Sequence, residues 1–107
     1  MTKQPANETD ARELALYATN DGDLYRQRAQ PIMLNLARKM VRGVYDPALA
    51  VTAWRYMADD AAKKYSREFG PCAFSPATRD LAAIEIGESY AEELAEIAAM
   101  LKTGKAA

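Results

Sequence analysis

The sequence predicts an all-α fold, a small bundle of four or five helices in a single domain. Three observations predict it. Apolar residues make up 50% of the 107 and charged residues 27%, with alanine abundant and only five glycines, a balance that favours helix. Apolar side chains recur every three or four positions along most of the chain, the spacing of one helix face. Two cap-and-proline pairs, Asp46-Pro47 and Ser75-Pro76, each open such a run.

Residues 1–7, MTKQPAN, are polar and interrupted by Pro5, and are expected to be a flexible tail before a helical domain over 8–107. Asn7 or Thr9 caps a first helix over 8–19, which turns Leu14, Tyr17 and Ala18 to one side. "NDGD" at 20–23 is a turn, and Asp21 or Asp23 caps the next run. That run covers 23–42 and is kinked or broken at Pro31, which has no amide hydrogen and crowds the preceding turn. Ile32, Met33, Leu36 and Met40 form its apolar side, Arg38, Lys39 and Arg42 suit the negative end of the helix dipole, and Gly43 is the stop.

Asp46 caps a third helix over 46–69, with Pro47 in its first turn. Ala50, Trp54, Met57, Ala61, Tyr65 and Phe69 make an inward stripe. Asp59–Lys63 and Asp60–Lys64 have the spacing of ion pairs along one helix. Gly70 and Pro71 end the run. A last helix over 76–102 carries Leu81, Ile84, Tyr90, Leu94, Ile97 and Leu101, and Gly87 within it permits a close neighbour or a bend.

Net charge is −1 at pH 7, so the chain as a whole exerts little pull on nucleic acid or membrane. The charges are nevertheless unevenly spread. Residues 21–70 hold nine Lys/Arg against six Asp/Glu, and residues 71–107 hold three against six. These blocks are complementary within one chain or across a homodimer. The single cysteine, Cys72, excludes an internal disulfide. With a polar start and no apolar run near the ~18 residues of a membrane span, this predicts a cytoplasmic protein with no membrane partner.

There is no histidine. That removes the commonest neutral-pH base, the Ser-His-Asp and Cys-His arrangements and most zinc sites. Cys72 has no imidazole to activate it and reads as a loop thiol, and no glycine-rich phosphate loop is present. The row Glu85, Glu88, Glu92 and Glu96 reads as a solvated face, its other reading being a site for a cation or a basic partner. The expectation is a protein that is not an enzyme, with no cofactor, no metal and no catalytic residue.

A binding surface is then sought among the charges. Arg26, Arg28, Arg38, Lys39, Arg42, Lys63, Lys64 and Arg67 are the cations close in sequence, with Tyr25 set among them in "DLYRQRAQPI". At least one of Arg26 and Arg28 is expected to pair with an acid. Phosphate recognition needs several cations on one surface, so these residues are also the candidate nucleic-acid interface. Trp54 and Tyr65 lie on the apolar stripe and read as core.

The segments "DLYRQR", "PI", "NLARK", "YDPALAV", "WRYMADDAAKKYSREFG" and "FSPATRD" together resemble small proteins carried by bacteriophages and prophages. The match lies in Leu24-Tyr25, Pro31, Lys39, Tyr45-Asp46, Trp54, Asp60-Ala61-Ala62, Tyr65 and Phe74-Ser75, across residues 15–85. The resemblance implies a mobile-element gene acting in a bacterial cytoplasm and brings no activity or site residue with it. The expected function is that of a phage-type accessory protein acting by protein–protein binding, with a host or phage protein or a second copy as partner. Nucleic-acid binding is the alternative.

Overall fold

A computed structural model of the chain describes residues 6–71 and 74–104. Cys72 and most of the expected tail lie outside the described residues. Among the described residues all regular structure is helical and there is no strand. The elements are α1 (Glu8–Asn20), α2 (Gly22–Leu24), a π-helical turn (Tyr25–Ala29), α3 (Gln30–Val41), α4 (Pro47–Phe69), α5 (Pro76–Ser89) and α6 (Ala91–Lys102).

The helix starts are held by side chains. Asn7 accepts from the Asp10 amide at 3.0 Å, Asp21 from Leu24 at 2.9 Å, Asp46 from Ala48 at 2.9 Å and Ser75 from Thr78 at 3.1 Å. Asn7, expected in the loose tail, also donates its amide to Thr78 Oγ1 at 3.1 Å, which fixes the start of α1 to α5. After α3, Gly43 takes φ 75°. Its amide reaches Met40 O at 3.1 Å and that of Val44 reaches Lys39 O at 2.9 Å, a Schellman stop that only glycine enters without strain.

Pro31 neither breaks the second helix nor ends it. The backbone widens by one residue just before it, so that the Gln30 amide bonds to Tyr25 O in a π turn and the helix runs on as α3. The expected single helix over 76–102 is instead two, parted at Tyr90 (φ −100°, ψ 3°). The cause is local: Ser89 Oγ donates back to Glu85 O at 2.9 Å, two residues after Gly87, a combination that bends helices.

Two packing regimes result. α1, α4 and α5 lie pairwise against one another through Ala11, Ala15 and Ala18, Ala58 and Ala61, and Ala82 and Ala83, whose small side chains let the helices approach closely. α3 stands farther from α4, and large side chains fill the interval: Met33, Leu36, Trp54, Met57, Tyr90 and Leu94. α6 packs chiefly on α3. The Cα envelope measures 49 × 28 × 16 Å, a long, thin body two helix layers deep.

Trp54 is 3% exposed, as the stripe predicts. Tyr65 is only half-buried, and Phe69, placed on the same stripe, is 63% exposed at the last residue of α4, where no helix covers it. On α5 the fully buried aliphatic is Ile86, whereas Ile84 is 43% exposed.

Candidate interaction surface

The cations predicted as one surface fall into two groups. Asp21 and Asp60 bind Lys64 and Arg28, so the run from α2 to α3 lies antiparallel to α4. The π turn that carries Tyr25, Arg26 and Arg28 therefore lies beside the second half of α4, which carries Lys63, Lys64 and Arg67, and Arg28 reaches across to Asp60. Arg38, Lys39 and Arg42 lie at the other end, next to the start of α4. Lys63 is sixteen residues beyond Pro47 along α4, about 24 Å away.

In the first group most charge is neutralised within the chain. Arg26 pairs with Asp23 and Arg28 with Asp60, so both arginines have acidic partners. Lys64 Nζ lies 2.6 Å from Asp21 and 3.7 Å from Asp23. That bond from Lys64 holds the Asp21 carboxyl below its ordinary value, helped by the Leu24 amide, and it raises the Lys64 ammonium. The expected pairs along α4 do not form, and Asp59 and Asp60 bind arginines instead. Asp59 accepts from Arg55 at 3.1 Å and from Arg79 of α5 at 2.8 Å, and Arg55 also binds Asp80. These acids bridge to neighbouring helices, where the partner is fixed by packing, rather than to a flexible lysine one turn on.

Lys63 and Arg67 take part in no ion pair among the described residues. They border two open grooves, one reaching Gln27 and Lys64 and one reaching Phe74 and Arg79. The neighbouring rings are engaged with one another. Tyr65 meets Tyr17, Phe69 and Phe74 at centroid distances of 5.2, 4.8 and 5.3 Å. Tyr65 donates to Glu13 at 2.8 Å and Tyr17 to Glu68 at 2.6 Å.

Tyr25 donates to Glu93 of α6, which raises its phenol, and its ring lies 6.0 Å from that of Tyr90. Tyr90 in turn stacks on Trp54 at 5.3 Å and 25°. Burial, with Glu93 and Tyr25 close by, pushes the Tyr90 phenol up to about 12. Tyr25 is thus a tie between the π turn and α6.

An apolar cleft lies where α3, the start of α4, α5 and α6 meet. It has a volume of about 290 Å³, with Met40, Tyr45 and Val51 on one side and Ile84, Gly87 and Leu94 on the other. Buried Trp54 forms its base. Glu88 is the charged residue of its lining, whereas Arg38 and Arg42, each two positions from Met40 and so about 160° from it around the helix, lie on the far side of α3. Sequence reasoning named the cations but missed the cleft, because its lining comes from four elements whose meeting no local pattern announces. The glutamate row is interrupted at Tyr90, and Glu93 turns to Tyr25. No three acidic or cysteine side chains among the described residues gather as metal ligands would. No helix among them is long and apolar enough to cross a membrane.

No family model, no curated protein and no solved structure matches this chain.

Proposed function

We propose that this chain acts by binding another protein, through the half of the molecule built from α3, α6 and the start of α4. The observation that carries the reading is the cleft over Trp54, apolar in lining and open at Ile84. Its size suits one or two inserted side chains rather than a drug-sized ligand. Glu88 sets one charged side chain at its edge, where an interface core gives way to a polar rim. Val44 and Leu49, each 60% exposed, widen the apolar surface around the turn that leads into it. The resemblance to small phage and prophage proteins gives this binding a context, an accessory protein modulating a factor in a bacterial host.

The test is retention from bacterial lysate on the immobilised protein, beside the same protein carrying Ile84→Asp. Ile84 is exposed, so its replacement leaves the fold intact while setting a charge at the mouth of the cleft. A protein held by the parent and released by the variant supports the reading, and equal retention by both overturns it.

Nucleic-acid binding is the weaker reading. Its cations are split between two ends of α4, and Arg26, Arg28 and Lys64 are already paired with acids. A gel shift at low salt that disappears steeply as salt rises would reverse that order.

A further inference from the structure

We infer that the groove between the second half of α4 and the start of α5 binds an acidic segment of a partner protein, one that sets an aspartate or glutamate beside an apolar residue. This groove lies toward the opposite end of α4 from the cleft over Trp54, and neither reading depends on the other.

Lys63 and Arg67 are out of keeping with the charges around them. On the same and neighbouring elements Arg26, Arg28, Arg55, Lys64 and Arg79 each bind a carboxylate. Lys63 and Arg67 are exposed and bind none among the described residues. They also stand one turn apart on one side of α4, where like charges disfavour each other. The acids that spacing would offer them are taken. Asp59, four residues before Lys63, is held by Arg55 at 3.1 Å and by Arg79 at 2.8 Å, and Asp60 is held by Arg28.

Both cations line the groove that reaches Phe74, which has a volume of about 430 Å³. Arg79 lines it too, so three cations face one carboxylate, Asp59, already bound by two arginines. Arg79 is fixed there, with Nε donating to Phe74 O at 3.2 Å and Nη1 to Asp59 at 2.8 Å. The rest of its guanidinium fork is left to donate to an oxyanion. Ala62 and the Phe74 ring give the same groove an apolar wall, and that ring is held edge-on against Tyr65. The groove on the other side of the pair differs, because Asp23 and Asp60 line it together with the cations.

This lining selects the occupant. A free phosphate would engage the cations and leave the apolar wall unused. A nucleic-acid strand needs cations spaced along a path and rings free to stack, whereas these cations share one groove and Tyr65 is engaged with Tyr17, Phe69 and Phe74. A carboxylate with an apolar neighbour uses both the charge and the wall, as a contact at the edge of a protein interface does.

Chemical-shift mapping of the full chain at low salt tests this, with a short synthetic peptide of glutamates and interspersed leucines as probe. Backbone amides around Lys63, Arg67, Phe74 and Arg79 should move. Lys63→Glu and Arg67→Glu, both at exposed positions outside any described ion pair, should each weaken binding by roughly tenfold or more. Arg38→Glu makes the same change in net charge at the other end of α4 and should leave binding as it was. Circular dichroism matching the parent shows that each variant is folded.

No shift at millimolar peptide overturns the inference. Equal weakening by all three reversals overturns the assignment to this groove, since net charge alone would then explain the binding. Inorganic phosphate or a peptide of glutamates without leucines bound as tightly at these residues overturns the acidic segment with an apolar neighbour as occupant. An oligonucleotide bound more tightly there than the peptide overturns it in favour of nucleic acid.

Discussion

At Gly87 a methyl group would lie 2.9 Å from Trp54 Cδ1 and 3.1 Å from its Nε1. The indole cannot retreat, because Tyr90 is stacked on it. Alanine is better than glycine in a helix by about 1 kcal/mol, but forcing an extra carbon into a filled core costs about 1–3 kcal/mol. The second effect wins, and Gly87→Ala should lower stability by about 1 kcal/mol. In a Trp54→Phe background, where the smaller ring leaves room, the same change should be neutral or stabilising. Urea midpoints of the four proteins check this, and an equal loss in both backgrounds would rule out the contact as cause. Each partner was legible in the sequence but not their meeting: the stripe turned Trp54 inward, and a glycine inside a helix signalled a close neighbour or a bend. Phe69 and Ile84 were not. A helical stripe gives the direction of a side chain but not whether another helix extends far enough to cover it.

Helix spacing explains why the π turn escaped sequence reasoning. Leu24 and Ala29 are both buried, five residues apart, and Met33 follows four residues later. At about 100° per residue, five α-helical steps leave two side chains about 140° apart, on different faces. The wider π turn returns both to one face, and it also accommodates Pro31, which cannot donate to the carbonyl four residues before it. The apolar spacing of five was the signal, but a search for a period near 3.6 passes over it. Removing the exposed Gln27 should therefore turn the π turn into regular α-helix, with Leu24 and Ala29 four apart and still facing inward. The deletion protein is expected to fold with a modest loss of melting temperature. Removing the equally exposed Thr52 from α4 would rotate the two halves of that helix by about 100° and turn part of its core stripe outward. That protein should not fold. Thermal melts followed by circular dichroism compare them, and equal damage from the two deletions would contradict this account of the turn. The α5–α6 break had clearer signs in Gly87 and Ser89, but a serine bends a helix only when its hydroxyl bonds back to the chain, which sequence does not record.

Across the whole molecule, the absence of histidine and the direction of the perturbed groups fix how stability must depend on pH. Asp21 is held below its ordinary value by Lys64 and by the Leu24 amide. Its charged form is favoured by folding, so its contribution is present above the unfolded carboxyl value of about 4 and is lost as pH falls through the lower folded value. Tyr17 and Tyr90 are raised to about 12, both chiefly by burial, and Tyr25 is raised by its bond to Glu93. Folding favours their neutral forms. That contribution is complete below the unfolded phenol value of about 10 and is lost as pH rises from there toward 12. Stability should accordingly form a plateau through neutral pH, with an acid shoulder that Asp21→Asn diminishes and an alkaline one that Tyr90→Phe diminishes. The asparagine keeps an oxygen for the Leu24 amide and removes only the charge, which separates the ion pair from the cap. Tyr90→Phe should cost little at neutral pH, since the phenolic oxygen is buried with no hydrogen-bond partner among the described residues. Urea midpoints measured across the pH range give the curve. A fall in stability between pH 6 and 8, where neither the aspartate nor the tyrosines change charge, would show that another group controls the fold.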